Sequence, residues 1–447
     1  MKVPNWLAAS AAAFPQDVAL ISEGERLTFA ELERQAAATA RRLAGLGVER
    51  GDRVAVVLQP QRDYVAILHG LMKLGAVAVP LDPALAKAER DARVAGSDAR
   101  LVIDDAAQVA AAAVADRPLD DDLDLESIHC VIHTSGSGGQ AKPVELSYAN
   151  HFWSAVGGGS RIGTMPGDRW LCCLGLHHIA GLAIVLRCSI FGMGMVLTRF
   201  DPAAIRTLVA TEQVTLASLV GTTLARLLDA GAELDRLRCA LLGGGPVASG
   251  VIEQALDAGV PIAPTYGLTE AASQVTTLLP GDVRAKPGSA GTPILGVELR
   301  TEQGSIMVKG PNVARGEVDA DGWLSTGDLG SIDEDGHLYV LGRADDVIVT
   351  GGENVSPEEV EQVLAAHPAV ADAGVTGVED PEWQQAVVAS VVLREGETVS
   401  ASELRAFCRE RLAGFKVPKQ IQFVERLPRN AQGKLVRSRL LIPSPNP

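Results

Sequence analysis

Apolar positions in the first hundred residues recur in two alternating rhythms. Leu32, Ala36 and Leu43 follow a 3.6-residue period that opens at Thr28-Phe-Ala-Glu31, a capping-box pattern, and ends near Gly45. The run RVAVVLQ (53–59) reads as a buried strand, an apolar helix precedes Gly75, and AVAVPL (76–81) reads as another strand. Strand, helix and strand in succession predict an α/β fold with crossover connections. Past an acidic connection at 116–127, VIHTSGSGGQAKPVELS predicts a strand, a glycine-rich loop and a second strand. The apolar stretch from Trp170 to Leu197 is broken by Arg187, two adjacent histidines and several glycines. It reads as buried core, since a membrane span needs about 20 apolar residues in a row.

The rhythm changes at GRADD (342–346). Beyond it, Ser356-Pro-Glu-Glu359 reads as a second capping box with Pro357 at the first helical position, over a helix reaching about His367. Strands follow at AGVTGV and AVVASVVL, and Ser400-Ala-Ser-Glu403 caps a helix carrying Leu404, Phe407, Cys408 and Leu412. The pattern predicts a large unit over 1–341, a hinge at 342–346 and a smaller α+β unit over 347–447.

With 47% hydrophobic and 21% charged residues, the chain can bury a large core. A net charge of −15 argues against broad nucleic-acid binding, which wants a basic footprint, yet leaves room for a locally positive pocket. Cys130, Cys172, Cys173, Cys188, Cys239 and Cys408 form no CxxC pair and read as buried, reduced thiols of a cytoplasmic protein. The N-terminal stretch is too short and interrupted for a signal peptide.

Five segments carry candidate chemistry. In Thr134-Ser135-Gly136-Ser137-Gly138-Gly139-Gln-Ala-Lys142, small residues let backbone N–H groups approach phosphate oxygens while hydroxyls and a lysine add donors and charge. It is not GxxxxGK[ST], because Ala141 precedes the lysine and Pro143 follows it. In Thr265-Tyr266-Gly267-Leu268-Thr269-Glu270, a carboxylate beside a hydroxyl suits Mg²⁺ on a triphosphate, and Tyr266 suits a base. A capped helix start would look the same. Ser325-Thr-Gly-Asp328 and Gly342-Arg343-Ala-Asp345-Asp346 offer an aspartate and an arginine for a ribose, although each alone is a turn. In Pro428-Arg-Asn-Ala-Gln-Gly-Lys434, a lysine on a glycine-bearing loop can enter a site as a point charge; a solvated basic face reads equally well.

In this order and spacing, the five segments resemble the acyl-CoA synthetase and adenylation-domain superfamily, which also contains firefly luciferase, over nearly the whole chain. The resemblance implies an N-terminal domain of two stacked α/β sheets plus a β-barrel, with a mobile C-terminal domain. It implies ATP, Mg²⁺ and coenzyme A as cofactors, and a small carboxylic acid activated as acyl-AMP before transfer to CoA. The loop 134–142 would close over the β- and γ-phosphates. Gly243-Gly244-Gly245-Pro246 and Tyr266 would line the adenine site, within a nucleotide site that includes Thr265, Gly267 and Leu268. Thr269 would touch the α-phosphate, Glu270 would ligate Mg²⁺, and Asp328 and Arg343 would hold the ribose. Lys434 would bridge the acid carboxylate and the α-phosphate. Asp345 would be the hinge of a rotation that withdraws Lys434 and brings Gly351-Gly352 to a pantetheine tunnel.

Within the superfamily, WLCCLGLHHIAGLAIVLR, TYGLTEAASQVTTL and VIVTGGENVSPEEVE are similar to the o-succinylbenzoate–CoA ligase branch of menaquinone synthesis. His178, Ser218, Thr222 and Ser273 would then meet the acid, with His178 joining Lys434, Thr269 and Glu270 in the catalytic set and Arg187 a more distant candidate. Gly175 and His177 stand where the family has Pro and Phe, Tyr148 replaces a histidine, and Gln140, Ala141 and Pro143 depart from the usual loop. Another aryl or medium-chain acid, a carrier-protein-loading adenylation enzyme and an inactive nucleotide-binding protein remain alternatives. The partners implied are the acid, ATP and CoA, without nucleic acid or a membrane span, and with a homodimer open.

Overall fold

The computed structural model describes residues 1–135, 141–381, 383–429 and 435–440. Two sheets dominate the N-terminal part. The smaller has five strands in the order Leu101–Ile103, Arg53–Val56, Val77–Pro80, Ile128–Ser135 and Ala141–Ser147, parallel except for the last pair. The larger has nine. Its centre runs Ile262–Leu268, Cys239–Leu242, Leu216–Leu219, Arg169–Cys172, Gly194–Leu197 and Val18–Ser22, all parallel. Parallel strands joined by crossover helices are buried on both faces, hence their continuous apolar runs.

A single apolar cluster joins the two sheets. It draws Val54, Val56, Ala78 and Ile132 from one, and Leu20, Trp170, Met195 and Leu216 from the other. Between them lie helices Phe29–Gly45, Arg62–Leu74 and Ile179–Phe191, and Tyr64 through Leu74 are all buried. The Trp170–Leu197 stretch is therefore core: a strand, a helix and a strand. Among the described residues no helix is long and apolar enough to cross a membrane. All six cysteines are free and buried, and burial pushes the Cys172 thiol up to about 12, so these groups stay protonated.

The expected barrel takes the form of an antiparallel sheet of four strands, Glu298–Glu302, Ser305–Lys309, Leu324–Ile332 and Leu338–Arg343. Its inner face packs on Tyr266, Ala271 and Val275, which brings it against the end of the nine-stranded sheet. After Arg343 the chain makes a short turn, Ala344–Asp346, and enters a five-stranded sheet with its own core of Ile348, Val360, Val375, Val391 and Leu404.

The capping boxes at Thr28 and Ser400 form in full. That at Ser356 forms only by half. Glu359 N–H donates to Ser356 Oγ at 3.4 Å, but the Glu359 carboxylate turns to Lys416 Nζ, 2.7 Å from both oxygens, and the Ser356 hydroxyl donates to the Leu341 carbonyl. An ammonium within reach outcompetes a backbone N–H for the carboxylate.

Candidate active site

The strand Ile262–Leu268 ends the parallel run and doubles back through the turn Thr269–Ala271 into Ser273–Thr277. A register shift falls between Tyr266 and Gly267. A Cβ on Gly267 would lie 1.6 Å from the Ser273 carbonyl oxygen, so only glycine permits this pairing. Ala272 and Ser273 both adopt positive φ (49° and 98°), backbone strain concentrated directly behind Glu270. Glu270 is half-buried. Burial raises its carboxyl pKa, Glu317 adds to the rise, and Lys142 and Arg343 oppose it. A half-buried carboxylate that forms no ion pair among the described residues fits a divalent cation.

Asp328 and Arg343 face each other across adjacent strands. Arg343 Nη1 lies 3.1 Å from Asp328 Oδ1, and Tyr266 Oη donates to Asp328 Oδ2 at 2.7 Å. Asp328 is thus aimed and fixed, with oxygen lone pairs left for hydroxyl donors. The loop Gly243–Gly245 follows the strand Cys239–Leu242 and lies beside Thr265, with Gly244 and Gly245 at φ 84° and 147°. Pro246 continues this exposed loop. Thr265 Oγ1 is committed to the Thr276 carbonyl at 2.6 Å. Thr134 sits opposite Lys142 on paired strands, and Lys142 Nζ meets Glu317 Oε2 at 2.5 Å. Gly136, Ser137, Gly138, Gly139 and Lys434 lie outside the described residues, and for Ser135 only the backbone is described.

His178 occupies the N-cap position of helix Ile179–Phe191 without capping it. Its ring packs 4.1 Å from that of His177, whose Nε2 is 3.6 Å from Asp82. Burial lowers His178 to about 4, so the ring is neutral at pH 7. The departures at Gly175 and His177 explain each other: a Cβ at 175 would lie 2.4 Å from the His177 ring.

Arg187 is on this helix, 3% exposed. Its guanidinium has Ser154 Oγ at 3.5 Å and the Trp170 ring at 5.5 Å. No carboxylate among the described residues pairs with it, and its Nε is a buried donor without an acceptor. Beside Gly158 it comes near Gln274, whose Oε1 is also buried and unpartnered. Burial lowers Arg187 to about 10, so it remains a cation at neutral pH. Trp170 links it to Ser218, donating from Nε1 at 3.1 Å. Ser273 is half-buried next to Gln274, and Thr222 is exposed in the first turn of Gly221–Asp229. Glu317, Gln274 and Ser154 were not singled out in the sequence; the structure brings them beside Lys142, Gly158 and Arg187 respectively.

The family comparison decides what such an arrangement belongs to. The AMP-binding enzyme family matches residues 7–316, and the AMP-binding enzyme C-terminal domain matches 359–434. The chain belongs to the AMP-binding enzyme family. Among its relatives, the 2-succinylbenzoate–CoA ligase of Geobacillus kaustophilus (strain HTA426) is 43% identical over 99% of this chain and 98% of its own. The o-succinylbenzoate CoA synthetase of Bacillus subtilis, solved with its acyl-adenylate intermediate, is 37% identical with a TM-score of 0.92, covering 98% of both chains. Its complex with ATP and magnesium gives the same TM-score and identity. A double mutant of that synthetase, bound with a product analogue, has the same identity and coverage but a TM-score of 0.75. As an AMP-binding enzyme, the chain is an AMP-forming acid–CoA ligase that uses ATP, Mg²⁺ and CoA.

Proposed function

We propose that this chain is a 2-succinylbenzoate–CoA ligase, which activates the succinyl carboxylate as an acyl-adenylate and transfers the acyl group to CoA. The observation that carries the choice of acid is Arg187. Once the succinyl carboxylate is at the α-phosphate, the ring carboxylate must go deeper, where an unpaired anion is very costly. Arg187 is a buried cation without an anionic partner among the described residues, on the helix whose N-cap is His178. Each lacks what the other supplies. The Ser218 hydroxyl, which keeps its own proton to donate after accepting from Trp170, adds a second donor at that end.

At the other end, the residues act through charge. Two anions must approach for adenylation, and positive charge held where negative charge develops lowers that barrier. Lys434 serves this role on the acid and α-phosphate. Glu270 would hold Mg²⁺, which would neutralise phosphate charge. Thr269 donates to the α-phosphate, and Asp328 accepts from the ribose hydroxyls in the orientation set by Tyr266 and Arg343. Gly243–Pro246 flanks the adenine, and Lys142 meets the outer phosphates.

The C-terminal part then turns at 342–346. The match at 0.92 to the acyl-adenylate complex against 0.75 to the product-analogue complex supports two arrangements, with this chain in the first. Gly351 and Gly352 form an exposed turn with positive φ, Gly351 N–H donating to the Trp383 carbonyl at 2.8 Å, and serve the pantetheine in the second. Six buried thiols suit a reducing, cytoplasmic setting.

The test is ATP-dependent thioester formation over a panel of acids. 2-Succinylbenzoate gives the highest kcat/KM, with release of pyrophosphate and AMP. Preference for a simple aryl or fatty acid, or transfer to a carrier protein in place of free CoA, overturns the assignment.

A further inference from the structure

Lys142 begins the strand that follows the phosphate loop, and its side chain is 56% exposed. Its partner is different in kind. Glu317 ends a short turn, Arg315–Glu317, and its side chain is 13% exposed. The segment leading to it is strapped down from two sides. Ala314 N–H donates to the Glu270 carbonyl at 2.7 Å, and Asn312 Nδ2 donates to the carbonyls of Ala271 and Gln274, both at 3.1 Å. Asn150 Nδ2 donates to those of Pro311 and Val313, at 3.0 and 2.8 Å. Glu317 is therefore a fixed carboxylate next to the proposed metal carboxylate Glu270, while Lys142 is a long, exposed, movable cation.

A carboxylate on Lys142 satisfies the ammonium as a phosphate oxygen would. Glu317 also repels a triphosphate bound beside it. Both properties follow from one position, and together they describe an exchange. We propose that Glu317 is a positioning residue that holds Lys142 in the nucleotide-free enzyme, yields it to the triphosphate, and takes it back as pyrophosphate leaves. This rests on the reading of Lys142 as a phosphate ligand. The ion pair keeps Lys142 beside the loop and ready, at the expense of weaker nucleotide binding. It also keeps small anions from settling on the lysine, and after chemistry it competes with pyrophosphate for the same charge.

The measurement is calorimetric binding of magnesium α,β-methylene-ATP, which cannot be adenylated, to the full chain without acid. Glu317→Gln keeps shape and removes charge. It should tighten binding about 5- to 20-fold, as expected for removing a nearby like charge at intermediate screening, and lower the inhibition constant of pyrophosphate by a similar factor. Lys142→Ala should weaken binding, and in that background Glu317→Gln should change affinity less than about twofold, since coupled residues are non-additive. Weaker or unchanged binding in Glu317→Gln, with an unchanged urea midpoint, overturns the exchange. Equal tightening with and without Lys142 reduces Glu317 to general repulsion and also overturns it. If Lys142→Ala binds like the parent, the phosphate-loop reading itself has failed, and the exchange with it. Glu317→Asp, if the Gln variant folds poorly, should fall between parent and Gln.

Discussion

At the nucleotide end of the site, Lys142 is paired with Glu317 and Arg343 with Asp328, and the two cations are 56% and 40% exposed. At the proposed acid end, Arg187 is 3% exposed and pairs with no carboxylate among the described residues. An exposed pair such as Lys142–Glu317 is worth little and rearranges readily, so it can be traded for the charges of a nucleotide and reformed. A buried lone cation cannot rearrange. It is a standing cost that the fold bears in order to present one donor group to one anion, and perturbed ionisable groups of this kind mark functional sites. One end is built for turnover, the other for selection.

That contrast can be broken at either end. The largest effect is expected from Lys434→Ala, which should cut acyl-adenylate formation by about 10³-fold or more while sparing thioester formation from preformed acyl-adenylate, because its charge acts only in the first transition state. Parental adenylation rates, read by pyrophosphate release, would remove Lys434 from the mechanism. Next is Arg187→Met. It should lower kcat/KM for 2-succinylbenzoate by roughly 10²- to 10⁴-fold, as when a site loses its partner for a buried polar group. Turnover of 4-phenyl-4-oxobutanoate, which lacks the ring carboxylate, should stay within about threefold. The melting temperature should not fall, since an unpaired buried charge has been replaced by an apolar chain of similar length. Loss of both acids together would make Arg187 structural. Asp345→Pro sharpens the account of the hinge. With φ held near −65°, thioester formation should slow about tenfold more than adenylation in half-reaction assays. Equal loss in both contradicts the hinge.

These experiments also separate what the sequence made legible from what it did not. The segments proposed for the nucleotide end could be picked out because phosphate, ribose and metal contacts depend on backbone turns, and turns are written in contiguous residues such as Thr265–Glu270 and Ser325–Asp328. The proposed acid end draws on Ser154, Trp170, Arg187 and Ser218, which lie on separate elements and meet only through packing. No spacing along the chain announces that Arg187 lacks an anion; burial had to be seen. Glu317 was invisible for the same reason, since its nearness to Lys142 is created by the strap over the Glu270 turn. In the fold, the strand and helix rhythm held, and two capping boxes formed in full. The third is half-made because Lys416, distant in sequence, claims Glu359.

The smallest effect on rate, and a clear one on stability, concerns the histidines. Burial holds His69, His129, His133, His151, His177 and His178 below their ordinary value, with His133 and His178 at about 4. The unfolded chain therefore binds more protons than the folded one between about pH 6.5 and 4. Stability is full above the unfolded value and falls as pH drops through this window. Glu270, Glu358 and Glu361, all raised by burial and the last to about 7, work in the opposite direction, three groups against six. The urea midpoint should decline steadily from pH 7 to pH 5, while His178, neutral throughout that range, leaves the pH profile of acid binding flat. A midpoint that rises on acidification contradicts the burial of these rings.

The central claim is that the acid end selects for a second carboxylate. The direct measurement is kcat/KM for 2-succinylbenzoate against 4-phenyl-4-oxobutanoate, two acids that differ only in the ring carboxylate. The account predicts a preference of about 10³-fold or more for the dicarboxylate in the parent enzyme, collapsing in Arg187→Met. Comparable values for the two acids in the parent would contradict it.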